Sequence, residues 1–381
     1  MHITAVHAHP LTHRLAPGER FDSAFSTFFS RDACLVEIET DAGVTGWGEC
    51  LGPAAVNAAI VRAMAPSLIG RDPLSIEPIW FDLYGAWRDM GQRGVTMTAQ
   101  SGIDIALWDI AGRHFGVPVH VLLGGAHRMA VPAYATGGFR PHGRDRLERL
   151  VEETAGYVAE GFGAVKIKIG FGVEEDEAVI RAVRAAIGEA DLMIDANHGY
   201  DAIEAIELGA RVADCRIGWF EEPVVPEHLD AYARVRAGQP IPVAGGETWH
   251  GRSAHAQAVG GGAVDILQPD VAGCGGITEM RKIVSHAETN GVRVVPHVWG
   301  TGVNVAASLH MLATLPPQPG RHAARHPWLE FDRTPHPYRM AILQQPIAHR
   351  DGEVSVPTGP GLGIEIDRDV LARFAMEEPR P

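Results

Sequence analysis

Lys166 and Lys168 stand two residues apart in the run AVKIKIG, which otherwise contains only Ala, Val, Ile and Gly. In a β-strand residues i and i+2 share a face, so the two ammonium groups lie on one side and the isoleucines on the other. Like charges in an apolar setting are costly unless anions neutralise them, and their repulsion lowers the pKa of at least one amine. Carboxylates follow at regular intervals: Asp195 in DAN, Glu221 and Glu222 in EEP, Glu247 in GGE, Asp270 in QPD and Glu330 in WLE, with His297 in PHVWG. From Lys168 to His297 successive members are separated by roughly 25 residues, about one strand-helix unit of a barrel. Taken singly, an Asp or Glu at a strand end is a helix cap or a solvated loop residue. All of them in phase, behind two lysines, is a pattern those readings do not produce. Glu221 and Glu222 point to opposite faces while in strand geometry, so at most one belongs to the set.

Asp195, Glu221 and Glu247 form an all-oxygen group that suits a hard divalent cation, Mg2+. Three ligands leave about half of an octahedral shell for water and for a small-molecule carboxylate substrate. Lys166 and Lys168 precede this group; Asp270 and His297 follow it on neighbouring strands, where the Asp fixes the imidazole tautomer and raises its basicity. Two proton carriers then face each other across the cation. A proton α to a carboxylate is removable at neutral pH only if the enediolate is stabilised as it forms, which Mg2+ supplies and a protonated Glu330 would assist. On this reading Lys168 is a base, while Lys166 lowers its pKa and meets the substrate carboxylate. Asn197, Glu330 and Thr136 are the candidate substrate contacts.

These residues need a frame that brings distant strand ends together. From about Ala130 onward, short β-branched runs alternate with segments of helical period that end at Gly. The expected strands are VPAYATG from Val131, AVKIKIG from Ala164, LMIDANHG from Leu192, GWFEEPV from Gly218, IPVAGGET from Ile241, VDILQPDV from Val264, VRVVPHVWG from Val292 and HPWLEFD from His326. Eight strands with crossover helices predict a closed α/β barrel, with its chemistry at the C-terminal mouth. The first 126 residues break the rhythm: DACLVEIETDAGVTGWGEC reads as two strands across a turn, and TMTAQSGIDIALWDIAGRHFG as helical, giving an N-terminal α+β unit. After Ile342 short strand-like pieces such as EVSVPTGPGLGIEID return; they are expected to leave the barrel unextended and to pack on the N-terminal unit. The expected division is 1–126, 127–345 and 346–381.

At 381 residues the chain exceeds one ordinary core, in keeping with that division. Its composition, 46% hydrophobic and 21% charged, includes no apolar run of bilayer length, so no membrane partner is expected. The start MHITAVHAHPLTHR lacks the basic and apolar regions of a signal peptide, which makes a cytoplasmic location the expectation. A net charge of −14 without a long basic run argues against nucleic acid. Cys34, Cys50, Cys215 and Cys274 have no metal-type spacing and read as reduced packing residues.

The motifs KIK, DAN, EEP, GGE, QPD, PHVWG and WLE together resemble the enolase superfamily, and within it the mandelate racemase subgroup. The resemblance runs the length of the chain. It implies a modified TIM barrel, (β/α)7β, under an N-terminal α+β capping domain completed by the C-terminal tail. It implies Mg2+ at Asp195, Glu221 and Glu247, Lys168 as one acid/base and the His297–Asp270 dyad as the other, and a homo-oligomer, from dimer to octamer. Members with this set include racemases and acid-sugar dehydratases. In such families specificity comes largely from the capping domain, here LAPGERFDSAFSTFF after Leu15 and GECLGP around Cys50. The polar residues of these loops favour a polyhydroxylated acid and hence dehydration to a 2-keto-3-deoxy acid, although Phe21, Phe25, Phe28 and Phe29 complicate the argument. The alternatives are racemisation of a 2-hydroxy acid and a catalytically silent binding barrel. Cycloisomerisation is disfavoured, because the lactonising branches commonly carry a Lys on the sixth strand, where this chain has DVAGCGG. His198 and Trp299 have no assigned role; either is placed to touch substrate.

Overall fold

The structure is a computed structural model that describes residues 1–141, 145–317 and 327–377. Its central feature is a ring of eight strands: Ala130–Thr136, Ala164–Lys168, Asp191–Asp195, Ile217–Glu221, Val243–Gly245, Ile266–Leu267, Arg293–Val294 and Leu329–Asp332. Parallel ladders join them in order from the first to the seventh, and the eighth pairs with the first. A helix follows each of the first seven strands, which makes the architecture a modified (β/α)7β barrel. Alternation in the second strand separates two environments. Val165 and Ile167 join the core shared with the surrounding helices, where burial of each side chain contributes about 1.5–3 kcal/mol. Ala164 belongs instead to an interior cluster with Tyr134, Met193, Trp219, Ala244, Ile266 and Val295, which fills the barrel beneath its mouth. Lys166 and Lys168 share Ala164's face and continue it upward.

The fifth, sixth and seventh strands are shorter than their apolar runs suggest. Pro269 and Pro296 have no N–H to give a ladder, and Gly246 has φ +144°, so pairing stops early. Glu247, Asp270 and His297 therefore sit in the loops just past their strands.

In the N-terminal unit, Ile3–Arg14, Ser30–Thr40 and Thr45–Cys50 form an antiparallel sheet. Helices Ala54–Met64, Ile76–Gly91 and Val95–Phe115 follow. The last has no polar face because both sides are covered: every residue from Thr96 to Gly112 is buried. On its barrel side Trp108 Nε1 donates to Thr278 Oγ1 at 2.9 Å, and Asp104 Oδ2 accepts from Thr278 N at 2.9 Å. Gly116, with φ +68°, ends it in the left-handed conformation that favours glycine.

A three-stranded patch joins this unit to the barrel mouth: Thr27–Phe28 pairs with Phe21–Asp22, which pairs with Arg140–Pro141 from the loop after the first barrel strand. The C-terminal segment touches both units. Helix Arg368–Phe374 lies against strand Ile3–Arg14, and Met376 N donates to Pro10 O at 2.8 Å. Glu353–Ser355, however, pairs antiparallel with Ala130–Pro132, which corrects the expectation that the tail leaves the barrel strands unextended. Tail backbone groups find partners there because the first strand begins before its barrel neighbour does. Among the described residues no helix is long and apolar enough to cross a membrane.

Candidate active site

Strand register sets the first layer of the site. Asp195 is the Cα partner of Lys168 on one side and of Glu221 on the other, so three consecutive strands deliver their polar ends at one height. Glu247 comes from the loop after the fifth strand, and one carboxylate oxygen from each of Asp195, Glu221 and Glu247 lies within 4.8 Å of the others. Asp195 and Glu221 are buried. Glu247 Oε2 is also shut off from solvent and accepts no hydrogen bond. Three converging carboxylates, one with an orphaned oxygen, fit a hard divalent cation such as Mg2+.

The lysines reach the same carboxylates. Lys166 Nζ lies 2.5 Å from Glu221 Oε1, 2.8 Å from Glu330 Oε1 and 3.6 Å from Asp195 Oδ2; Lys168 Nζ bonds Asp195 Oδ2. Burial is the largest influence on Lys168 and opposes its charge, but Asp195, Glu247 and Glu221 together outweigh it and hold the amine above its ordinary value; Lys166 pushes the other way and is weaker than Asp195. Lys166 thus lowers the pKa of Lys168, as its like charge predicts, while the surrounding carboxylates set the net direction. The anions that outweigh it are those that would hold the cation, so repulsion between the lysines governs only once those carboxylates are engaged elsewhere. Burial likewise opposes Lys166, and Glu221 and Glu330 override it, leaving the amine well above its usual range.

Across the carboxylates, His297 Nδ1 lies 2.7 Å from Asp270 Oδ2, and Nε2 faces Glu247 Oε2 at 3.3 Å. Despite burial, Glu247, Glu330 and Asp270 raise the imidazole to about 10. Glu330 accepts from Thr136 Oγ1 at 2.7 Å and from Val298 N at 3.0 Å, in addition to Lys166. Against its burial, Lys166 and His297 lower it to about 2. Glu330 thus accepts from Lys166, Thr136 and Val298 N and anchors Lys166, a role different from the carboxyl donor expected of it. Thr136 is buried against it. Asn197, with φ +40°, is buried at the end of the third strand and donates its N–H to Asp195 Oδ1 at 2.9 Å.

The capping loops spend much of their polar and aromatic character on themselves. Phe21 and Phe28 stack with centroids 4.9 Å apart and pack on Phe139. Phe25 and Phe29 are exposed. Thr27 Oγ1 donates to Asp22 Oδ1 at 2.5 Å, and Glu19 Oε2 accepts from Ala16 N at 2.9 Å. Glu49 is buried and faces a barrel helix. Trp299 packs between Phe28 and Phe139, with the Arg31 guanidinium 4.2 Å from its ring centroid. His198 lies under Phe25, their ring centroids 6.0 Å apart.

Some contributors carry no charge or come from outside the ring. Glu221 Oε2 is held by Trp219 Nε1 at 2.9 Å and Gln268 Nε2 at 2.7 Å. Gln268 stands in the QPD motif, but only its structural position shows that it reaches a strand two removed. Asn304, on a barrel helix, donates to Asp270 and had no signal in spacing or type.

With fold and site in view, the comparisons place the chain. Residues 3–124 match the mandelate racemase/muconate lactonizing enzyme N-terminal domain, and residues 149–370 match the enolase C-terminal domain-like family. The chain belongs to the mandelate racemase/muconate lactonizing enzyme family of the enolase superfamily. Among its relatives, a D-galactarolactone cycloisomerase of Agrobacterium fabrum is 59% identical over 380 residues, covering 100% of both chains. An arabinonate dehydratase of Saccharolobus solfataricus is 37% identical over 343 residues, 89% of each chain. A crystal structure of a racemase from Streptomyces coelicolor with bound magnesium superposes with a TM-score of 0.86 at 30% identity, covering 98% of this chain and 100% of that one.

Proposed function

We propose that this protein is a Mg2+-dependent enzyme that removes the proton α to the carboxylate of an acid-sugar lactone and opens the ring by expelling the β-oxygen. The observation that carries this reading is the placement of Lys168 and the His297–Asp270 dyad across one carboxylate trio, in a chain 59% identical end to end to a galactarolactone cycloisomerase. A cation held by Asp195, Glu221 and Glu247 would stabilise the negative charge that builds on the substrate carboxylate.

Lys168 and His297 are the two groups placed to take the α-proton. The C–H electron pair forms the enediolate, then returns to make a C=C bond as the β C–O bond breaks. In a lactone the departing oxygen leaves as a carboxylate, whose conjugate acid has a pKa of about 4 and which needs no proton. The enol then takes a proton at the β-carbon, which has just lost its oxygen, and becomes a 2-keto acid isomeric with the lactone. Dehydration uses the same first step but expels hydroxide, whose conjugate acid has a pKa of about 16, so the second carrier must supply a proton. The missing sixth-strand lysine does not weigh against ring opening, because α-proton removal and β-elimination need only the carriers present. Dehydration of an open acid sugar is the second reading, supported by the 37% identity to arabinonate dehydratase.

The test is incubation with D-galactarolactone and Mg2+, followed by mass spectrometry and NMR. The expected product is a 2-keto acid of unchanged mass. An inert lactone, with galactarate or arabinonate losing one water, would establish dehydration instead; stereoinversion alone would overturn both.

A further inference from the structure

Behind the dyad, a buried polar chain leads out of the barrel into the capping unit. Asn304, fully buried in the first turn of helix Gly302–Thr314, donates its amide to Asp270 at 3.2 Å from Oδ1 and 3.4 Å from Oδ2. Ala272 N donates to Asp270 Oδ1 at 2.7 Å, while Oδ2 meets His297 Nδ1 at 2.7 Å and accepts a longer bond from Trp299 N at 3.4 Å. The Asn304 amide oxygen is itself fixed, accepting from Ser308 Oγ at 3.3 Å. The backbone at this turn belongs to Glu49 of the capping unit. Its carboxylate accepts from Thr301 N at 2.8 Å, Thr301 Oγ1 at 2.7 Å and Asn304 N at 2.9 Å. An anion at a helix N-terminus satisfies N–H groups that have no partner within the helix. Gly300 makes the approach possible, since a Cβ there would lie 2.5 Å from Glu49 Oε1.

We propose that Asn304 is a positioning residue for the His297–Asp270 dyad and that Glu49, by fixing the turn that carries Asn304, makes the dyad's geometry depend on docking of the capping unit. This rests on the reading of His297 as a proton carrier. A carboxylate free to rotate about its terminal bond can turn either oxygen toward the imidazole; donors to both oxygens hold one plane, and that plane sets the ring tautomer and its aim. Asn304 touches only groups behind the dyad, so its loss should slow proton transfer without weakening substrate binding.

The experiment uses the full-length protein with Mg2+. The His297 Nδ1 proton, bridging to Asp270, should give a downfield proton NMR resonance that His297→Asn removes. Asn304→Leu keeps the side-chain volume and removes the donor. It is expected to shift or broaden that resonance and to lower kcat on D-galactarolactone at least tenfold, with KM within threefold of wild type. Glu49→Gln keeps an acceptor for the turn and should cause a smaller change in the same direction. An Asn304→Leu protein with the wild-type resonance overturns the proposal, whether its activity is intact or falls only in step with its unfolding midpoint. If His297→Asn itself leaves the resonance and turnover untouched, the dyad reading fails first, and the two failures are told apart.

Discussion

Glu222 and His198 close on each other from the ends of adjacent strands, with Oε2 and Nε2 3.3 Å apart and His198 N donating to Glu222 O at 2.9 Å. Both hold left-handed backbone, φ +42° and +66°. That conformation turns the second glutamate of EEP away from the trio: its Oε1 accepts from Thr248 Oγ1 at 3.1 Å. The tandem carboxylates therefore divide their work. Glu221→Gln is expected to weaken Mg2+ binding by more than about 100-fold, whereas Glu222→Gln, acting from outside the ligand set, should cost roughly tenfold or less. Isothermal titration calorimetry decides it, and equal losses would put Glu222 among the ligands.

Lys166 is a cation on which the carboxylates of the site balance. It is completely buried, and Glu221, Glu330 and Asp195 share its charge. Removing one partner from such a group leaves uncompensated buried charge, at a cost of about 3–5 kcal/mol. Lys166→Met should lower unfolding stability by about that amount in EDTA and by clearly less with saturating Mg2+, since binding to the folded state adds stability by mass action. Denaturant titrations with and without metal measure the difference. A destabilisation indifferent to Mg2+ would mean that metal and lysine do not share these carboxylates.

Much of this site was legible because its residues are charged, lie at strand ends and recur once per strand-helix unit. That spacing located Lys166, Lys168, Asp195, Glu221, Glu247, Asp270, His297 and Glu330, and the structure brings all of them to one mouth. Two kinds of information were out of reach. The first is which group wins when several charges meet: the amount of carboxylate around Lys168 and the donors around Glu330 are properties of three dimensions. The second is the support. Glu49, Asn304 and Gln268 act through contacts between elements far apart in sequence, and a buried Asn on a helix is indistinguishable by type from a solvent-facing one. Strand ends were misplaced for a local reason, since β-branched runs continue past Pro269 and Pro296 while the ladder does not.

Ala24 of the capping loop is seated where the second and third strands end, in a socket made by two glycines. A Cβ on Gly199 would lie 2.7 Å from Gly170 Cα and 2.9 Å from Ala24 Cβ. Gly199 does not have a positive φ, so Gly199→Ala adds bulk without backbone strain. The Gly170 backbone, whose N–H is held by Asp176 Oδ2 at 2.7 Å, and the loop at Ala24 must then both shift. Overpacking of this kind costs about 1–3 kcal/mol. The variant should raise KM several-fold and speed proteolytic cleavage within 20–29. Unchanged KM and cleavage would show that the loop is held elsewhere.

The tail is fastened to the capping sheet by a charge whose pH dependence has a definite sign. Glu37 accepts from His9 Nε2 at 2.9 Å and from both terminal nitrogens of Arg368, whose guanidinium lies 4.6 Å from the Trp47 ring centroid. Burial works against the carboxylate, but His9 and Arg368 prevail and lower it from 4.5 to about 2. A depressed carboxyl stabilises the fold fully above its unfolded value and loses that contribution as protons bind. The stability it supplies is therefore complete above about pH 4.5 and disappears as pH falls toward 2. Arg368 is more than half exposed, so solvent screening reduces the contribution to about 1–3 kcal/mol. Glu37→Gln should lower stability at pH 7 by that amount and flatten the acid limb of the stability curve between pH 4.5 and 2. Helix Arg368–Phe374 should become more accessible to protease over the same interval in the wild-type protein. An acid limb identical in the two proteins would assign the acid sensitivity to the barrel carboxylates and leave the tail held by its apolar contacts and the Met376 N to Pro10 O hydrogen bond.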